Sequence, residues 1–280
     1  MSSPSVYRLL LIILHCLYNL VDFILRTWIY WRYRVYQYFT ANTFIQNIDN
    51  YIHLRILHLD KLPAHIVIIL GTEKPSYSDL SNIVFWCIAS GIPYITFYDH
   101  KGTLKKTEEI LKDTLIERKL DMKQIIWNHE EYKNGITSTT TTTNGYKNGK
   151  SKHAQNGTRK FHINILSHTN GGKHSLVNTI KKLSTSYYNN RGGETGNHPP
   201  SPSSDMIDIE YLNNYINSDF KLPEPDLGIV CGNILCLYGI LPWHIRTTEF
   251  IQLETHVNIH IDTFLQILYK YAKSEQRYGK

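Results

Sequence analysis

The chain has 280 residues, 42% hydrophobic and 12% aromatic, which is enough apolar side chain for one sizeable core plus extensions. Its formal charge of +6 is spread along the sequence without a long Lys/Arg run, so the clustered footprint of a nucleic-acid binder is excluded. Four scattered cysteines, Cys16, Cys87, Cys231 and Cys236, form neither a disulfide framework nor a zinc pattern, and read as reduced structural thiols.

Leu9–Leu25 (LLLIILHCLYNLVDFIL) is an apolar run at the short end of the ~17–25 residues that span a bilayer. His15, Asn19 and Asp22 interrupt it. Behind it, Arg26, Trp28, Tyr30, Trp31, Arg32, Tyr33 and Arg34 make an aromatic and cationic belt of the kind found at a membrane exit. Arg8 is the one charged side chain ahead of the run, so the Lys/Arg bias predicts a cytosolic C-terminal bulk. Residues 1–35 are therefore expected to be a membrane anchor. An interfacial helix and a buried soluble helix are the competing readings; a cleaved leader is disfavoured because Trp-Ile-Tyr-Trp offers no small-residue cleavage site.

Residues 36–62 form an ambiguous helical linker. His65–Leu70 is a continuous β-branched run between Pro63 and Gly71, the pattern of a strand buried on both faces. Ser76 or Ser78 is expected to cap a helix carrying Leu80, Ile83, Val84, Cys87 and Ile88, ended by Gly91. Ile92–Tyr98 predicts a second strand and Asp99–Gly102 a turn. Thr103 is then expected to cap a helix with Leu104, Leu111, Leu115 and Leu120 on one face. Gln124–Trp127 predicts a short third strand.

Residues 133–160, with the run Thr137–Thr143, and residues 187–204 are low-complexity insertions with too few apolar side chains to offset the entropy of ordering. Phe161–Ser167 predicts a fourth strand, Lys173–Leu183 and Met206–Tyr215 helices, and Asp226–Cys231 a fifth strand. A last helix carries Phe264, Ile267, Leu268 and Tyr271 on one stripe. This alternation argues an α/β fold, a mostly parallel central sheet flanked by helices, over residues 62–280.

Gly171-Gly172-Lys173-His174-Ser175 has neither the upstream Gly nor the Lys-Ser/Thr pair of a phosphate loop. The fourteen histidines have no ligand spacing, and Asp99 at a strand-to-helix turn is expected to make local hydrogen bonds. Trp243 reads equally as core or subunit interface, and Glu249 as a partner of Arg246 or of another chain.

Three groups of residues, in order, resemble one family. The first is Ser78-Asp79-Leu80, Val84–Cys87, Gly91-Ile92, Tyr94-Ile95, Tyr98-Asp99-His100 and Gly102. The second is Leu241–Arg246 with Thr248-Glu249, and the third is the closing Glu275-Gln276-Arg277-Tyr278-Gly279-Lys280. Together they are similar to the Nogo-B receptor family, the non-catalytic subunits of dehydrodolichyl diphosphate synthase. The resemblance implies an undecaprenyl diphosphate synthase-like fold behind the N-terminal membrane helix. It also implies a homologous catalytic partner that holds Mg²⁺, and membrane lipid and isopentenyl diphosphate as further contacts.

The catalytic Asp that cis-prenyltransferases carry after the first strand falls on Gly71 here. Their phosphate-binding Arg and Ser fall on Val230 and on Cys231 or Gly232. The chain is therefore expected to make no prenyl diphosphate alone, with no metal ligands of its own. What the resemblance keeps is Arg277 and Gly279, implied to reach the partner's active site around the diphosphate of isopentenyl diphosphate. The rival readings are a self-sufficient homodimeric enzyme and a membrane scaffold or receptor without chemistry.

Overall fold

A computed structural model describes residues 4–44, 48–127, 160–191, 208–220 and 222–275. The chain divides into two compact units, Met1–Tyr51 and Ile52–Lys280.

In the first unit, α1 runs from Pro4 to Phe44. Pro is at home in the first turn of a helix, and no Gly or Pro follows to break the run. Within it, Val6–Leu25 has a mean hydropathy of 1.9 and no buried residue, so it is long and apolar enough to cross a membrane. His15, the imidazole inside this stretch, is paired by Nδ1 with the Leu11 carbonyl at 3.1 Å, one turn back. The helix continues well past the aromatic and cationic belt, so the first part of the expected linker is its last turns.

Helix α2 (Ile48–Ile56) straddles the boundary and buries Ile52. The second unit holds a six-stranded, wholly parallel sheet of β1 (His65–Ile69), β2 (Tyr94–Tyr98), β3 (Ile125–Trp127), β4 (Phe161–Leu166), β5 (Leu227–Cys231) and β6 (Glu249–Leu253). Its order is β3-β4-β2-β1-β5-β6. Every residue of β1 and β5 is buried, as expected of central strands covered by helices on both faces. The sheet is flanked by α3 (Tyr77–Ala89), α4 (Thr103–Lys106), α5 (Glu108–Glu117), α6 (Lys173–Arg191), α7 (Ile209–Phe220) and α8 (Ile261–Lys273).

Three expectations need correction. Thr103 is not a cap: Gly102 holds that place at φ 72°, and Asp99 accepts from the Lys101 and Leu104 N–H groups at 3.0 and 2.9 Å. The helix behind it is two helices, because Thr107, at φ −115°, interrupts it. Strand β6 had no sequence signal. It is an edge strand of half-exposed residues with Glu249 and Gln252 among them, so it shows neither a buried apolar run nor clean alternation. Helix α6 continues past its expected end to Arg191, while residues 133–159 and 192–204 lie outside the described residues.

Two devices align the strands. At the N-terminal end of the sheet, Asp226 accepts from the N–H groups of Ala64 and His65 at 2.7 and 3.0 Å, tying β5 to β1. At one face, α8 lays Phe264, Ile267, Leu268 and Tyr271 into the core, with the Phe264 ring 5.6 Å from that of Trp86. Each such side chain contributes about 1.5–3 kcal/mol when fully buried.

Candidate functional site

In an open parallel sheet, ligands bind outside the carboxyl ends of the strands. Here those ends bring together Gly71 after β1, Asp99 and His100 after β2, Ser167 and His168 after β4, and Cys231 with Gly232 at β5.

Tyr238 packs over Gly71 in the crevice they frame. Gly71 has φ +64°, and a Cβ placed on it would lie 3.0 Å from the Cys231 carbonyl oxygen and 3.1 Å from the Tyr238 ring. Tyr238 itself sits at φ 51°, a conformation that costs a bulky residue free energy and needs surrounding contacts to hold it. One of these is the Tyr98 hydroxyl, which donates to the Tyr238 carbonyl at 2.9 Å. Burial, and then the nearby Asp99, push the Tyr98 phenol up to about 12, so it remains a donor. The His100 ring lies 5.8 Å from the Tyr238 ring and 5.4 Å from that of His168, whose Nδ1 meets the His100 carbonyl at 2.9 Å.

Among the described residues, the nearby carboxylates Asp99 and Glu73 are engaged elsewhere. Both Asp99 oxygens receive backbone N–H groups, and Glu73 turns to His256, whose Nδ1 is 2.5 Å from Glu73 Oε2. The other ring nitrogen of His256, Nε2, accepts from the Ser76 N–H at 3.1 Å, so Nδ1 carries the proton it gives to Glu73. Ser76, one of the two candidate caps of α3, holds the N-cap position but spends its hydroxyl on Asp79 at 2.5 Å and makes no side-chain cap. Although burial opposes it, the His256 hydrogen bond holds the Glu73 carboxyl below its ordinary value.

Glu73, Cys231 and His256 are the one group of three possible metal donors among the described residues. They do not fit Mg²⁺, which takes oxygen ligands in near-octahedral array. The group offers a single carboxylate, an imidazole with both nitrogens engaged, and a thiol that burial pushes well above its ordinary value.

The other motif positions are structural. Val230 and Cys231 are buried in β5, while a Cβ on Gly232 would meet nothing within 4 Å. A Cβ on Gly171 would come within 2.7 Å of the Leu166 side chain, and one on Gly172 within 2.6 Å of the His168 carbonyl. Those glycines serve close packing under α6. In the Leu241–Arg246 segment, Trp243 donates from Nε1 to Asn213 Oδ1 at 3.1 Å, and the Arg246 guanidinium lies 5.9 Å from its ring. Arg246 pairs with Glu224 at 2.6 Å, and Glu249 belongs to β6. A cavity of about 70 Å³ lies beneath this segment, against Thr179 and Ile216. All four cysteines are free thiols. Arg277 and Gly279 lie outside the described residues, which end at Glu275.

Sequence reasoning missed Tyr238 and His256. Neither carries a local signal, since each is a common residue type whose partner lies far away in the chain.

The chain is 29% identical over 224 residues to the human "dehydrodolichyl diphosphate synthase complex subunit NUS1", an alignment covering 79% of this chain and 68% of the human one. The fission yeast (Schizosaccharomyces pombe) subunit of the same name is 23% identical over 227 residues, covering 79% of this chain and 78% of that one. Over most of its length the chain is thus similar to the NUS1 subunits of that complex. Among solved structures, lavandulyl diphosphate synthase from Lavandula x intermedia superposes with a TM-score of 0.53 at 15% identity, covering 78% of this chain and 99% of that one. The fold is thus the one this prenyl diphosphate synthase has, in agreement with the α/β class expected from the strand and helix pattern. No protein-family model matches the chain.

Proposed function

We propose that this chain is the accessory subunit of a heteromeric cis-prenyltransferase. It pairs with a homologous catalytic subunit and takes part in condensing isopentenyl diphosphate onto farnesyl diphosphate, which yields the polyprenyl precursor of dolichol for protein glycosylation. The single observation that carries the reading is Gly71. In a chain similar to complex subunits, the position of the catalytic Asp is a glycine in the left-handed region with Tyr238 packed over it.

In this reading the partner holds Mg²⁺ and the catalytic Asp. This chain contributes the interface, the anchor α1 at the endoplasmic reticulum membrane, and the closing segment from a cytosolic domain. The Arg277 guanidinium, permanently charged and planar, donates to the diphosphate oxygens of isopentenyl diphosphate bound by the partner. Gly279, with no side chain, lets its N–H approach the same group closely. Bound in trans, the two would fix the substrate and offset its charge.

The test is enzymatic. The chain purified alone should transfer no prenyl group, and the Arg277→Ala complex should assemble yet lose most of its activity, roughly a hundredfold for one charged diphosphate contact. Activity of the lone chain, or full activity of the Arg277→Ala complex, would refute it. A second reading, a membrane scaffold without chemistry, draws on the same packing of Tyr238 over Gly71. Removing residues 277–280 separates the two, because a scaffold tolerates that loss.

A further inference from the structure

Helix α6 (Lys173–Arg191) is the longest helix flanking the sheet, and its sequence contains Lys173, Lys181, Lys182 and Arg191 but no Asp or Glu. The other long flanking helices all carry acids: Asp79 in α3, Glu109 and Asp113 in α5, Glu210 in α7 and Asp262 in α8. A soluble surface ordinarily intersperses both signs, so a long helix of one sign is the departure to explain.

The helix also buries little. Among its described side chains Thr179 and Leu183 are buried, with Leu176 half-buried on the same side. On the other side Lys173, Val177, Lys181, Ser184 and Tyr188 recur at spacings of three and four residues, and all are exposed. Tyr188 is 79% exposed and Val177 48%. No acidic side chain among the described residues pairs with Lys173, Lys181 or Lys182.

Past Leu183, no described side chain of α6 is buried. Ser184, Thr185 and Ser186 turn their hydroxyls back onto the Lys181 and Lys182 carbonyls, at 3.1, 2.9 and 2.9 Å, a habit that weakens rather than supports a helix. Helices in proteins are held mainly by burying one face, and the last two turns of α6 bury none among the described residues. The surface that suits them is an external one. A face that interleaves lysines with Val177 and Tyr188 matches an anionic bilayer. Ammonium groups reach lipid phosphates, aliphatic stems lie against the acyl boundary, and tyrosine sits at headgroup level. Three lysines make a weak patch for a soluble partner. On a chain held to a membrane by Val6–Leu25 the second contact is intramolecular, and a weak patch suffices.

We propose that the exposed face of α6 docks on the anionic surface of the membrane that holds the chain, through Lys173, Lys181, Lys182, Val177 and Tyr188. The inference rests on the reading of Val6–Leu25 as an anchor. In the function proposed above, this contact keeps the prenyltransferase beside the bilayer that takes up its apolar product.

The experiment places the full chain in phospholipid nanodiscs and follows backbone hydrogen exchange over residues 173–191 by mass spectrometry. Exchange there should be slower in discs containing phosphatidylserine than in discs of phosphatidylcholine alone. The slowing should vanish at about 1 M salt, where the screening length falls to ~3 Å. Lys181→Gln should relax it about fivefold, the equivalent of ~1 kcal/mol for one basic residue at an anionic surface. Gln at 173, 181 and 182 together should give the exchange seen in phosphatidylcholine, whereas Arg at all three should keep the slowing. If the triple Gln chain fails to fold, the lipid and salt comparisons on the unaltered chain decide alone. Equal exchange in the two lipids, or slowing that survives the triple Gln change, overturns the docking. So does slowing that follows only from adding the catalytic partner, which makes the face a subunit contact. Failure of the chain to enter nanodiscs defeats the anchor reading and the docking with it; entry with equal exchange defeats the docking alone.

Discussion

Histidine 65 shows how much a single buried side chain can commit a fold to one protonation state. Its Nδ1 faces the Pro223 carbonyl at 2.7 Å, an acceptor only, so Nδ1 carries the proton and Nε2 accepts from the Thr96 hydroxyl at 2.8 Å. Burial lowers its pKa to about 4, against the bond to Pro223, which raises it; His244 is likewise lowered to about 4, chiefly by burial. The folded chain thus binds fewer protons than the unfolded one between pH 6.5 and pH 4. Stability from His65 is fully present above the unfolded pKa and is lost as pH falls through this window, by on the order of 3 kcal/mol. Urea unfolding measured from pH 7 to pH 4 should show this decline. The ring carbons of His65, followed by NMR, should titrate near 4 rather than 6.5. Gly71 is the second residue-scale lesson. The resemblance implies a missing carboxylate there, but only the tertiary structure shows that Tyr238 packs against it.

At the scale of elements, α8 carries the most weight per residue. Its amphipathic stripe was plain in the sequence, and Phe264, Ile267, Leu268 and Tyr271 are all buried. Phe264 is fully buried against Trp86 of α3. Phe264→Ala should lower unfolding free energy by about 3–5 kcal/mol, seen as a fall in Tm, while the partner's own stability is untouched. Strands β1, β2, β4 and β5 were equally legible: β1 and β5 as runs buried on both faces, β2 and β4 as mainly apolar runs that also carry Thr96, His162 and Asn164. Strand β6 was not. Its residues are half exposed, and only the β5 ladder, from Leu227–Glu249 to Cys231–Leu253, makes it a strand. The break at Thr107 escaped for the same reason: the apolar spacing of Leu104, Leu111 and Leu115 is unchanged across it.

For the whole molecule, the question is what a prenyl diphosphate synthase fold does if, as the resemblance implies, a glycine stands in place of the catalytic carboxylate. The answer proposed here is assembly, with an anchor at one end and a diphosphate-binding arginine at the other. The anchor makes a prediction of its own. Val6–Leu25 exposes its apolar side chains throughout, so the full chain should remain with membranes after alkaline carbonate washing and be released only by detergent. Replacing Leu10, Leu14, Leu17 and Val21 by Gln should release it, since each polar group costs several kcal/mol in the bilayer core. Recovery in the soluble fraction without those changes would contradict an integral helix.

The sequence alone determined the fold class and the apolar N-terminal helix, and it carried the family resemblance that puts Gly71 where a catalytic Asp is expected. Each is written locally, as a run of β-branched residues, a hydropathy segment or a residue type at a motif position. The tertiary structure alone decided what occupies the crevice, which partner Arg246 takes, why Glu73, Cys231 and His256 are no Mg²⁺ site, and how the end of α8 is held. These depend on pairs that lie apart in the chain, by 22 residues for Arg246 with Glu224 and by more than 150 for Gly71 with Tyr238, Glu73 with His256, and Lys61 with Ser274. No local pattern encodes such pairs, because the sheet's crossovers, not the spacing along the chain, bring them into contact.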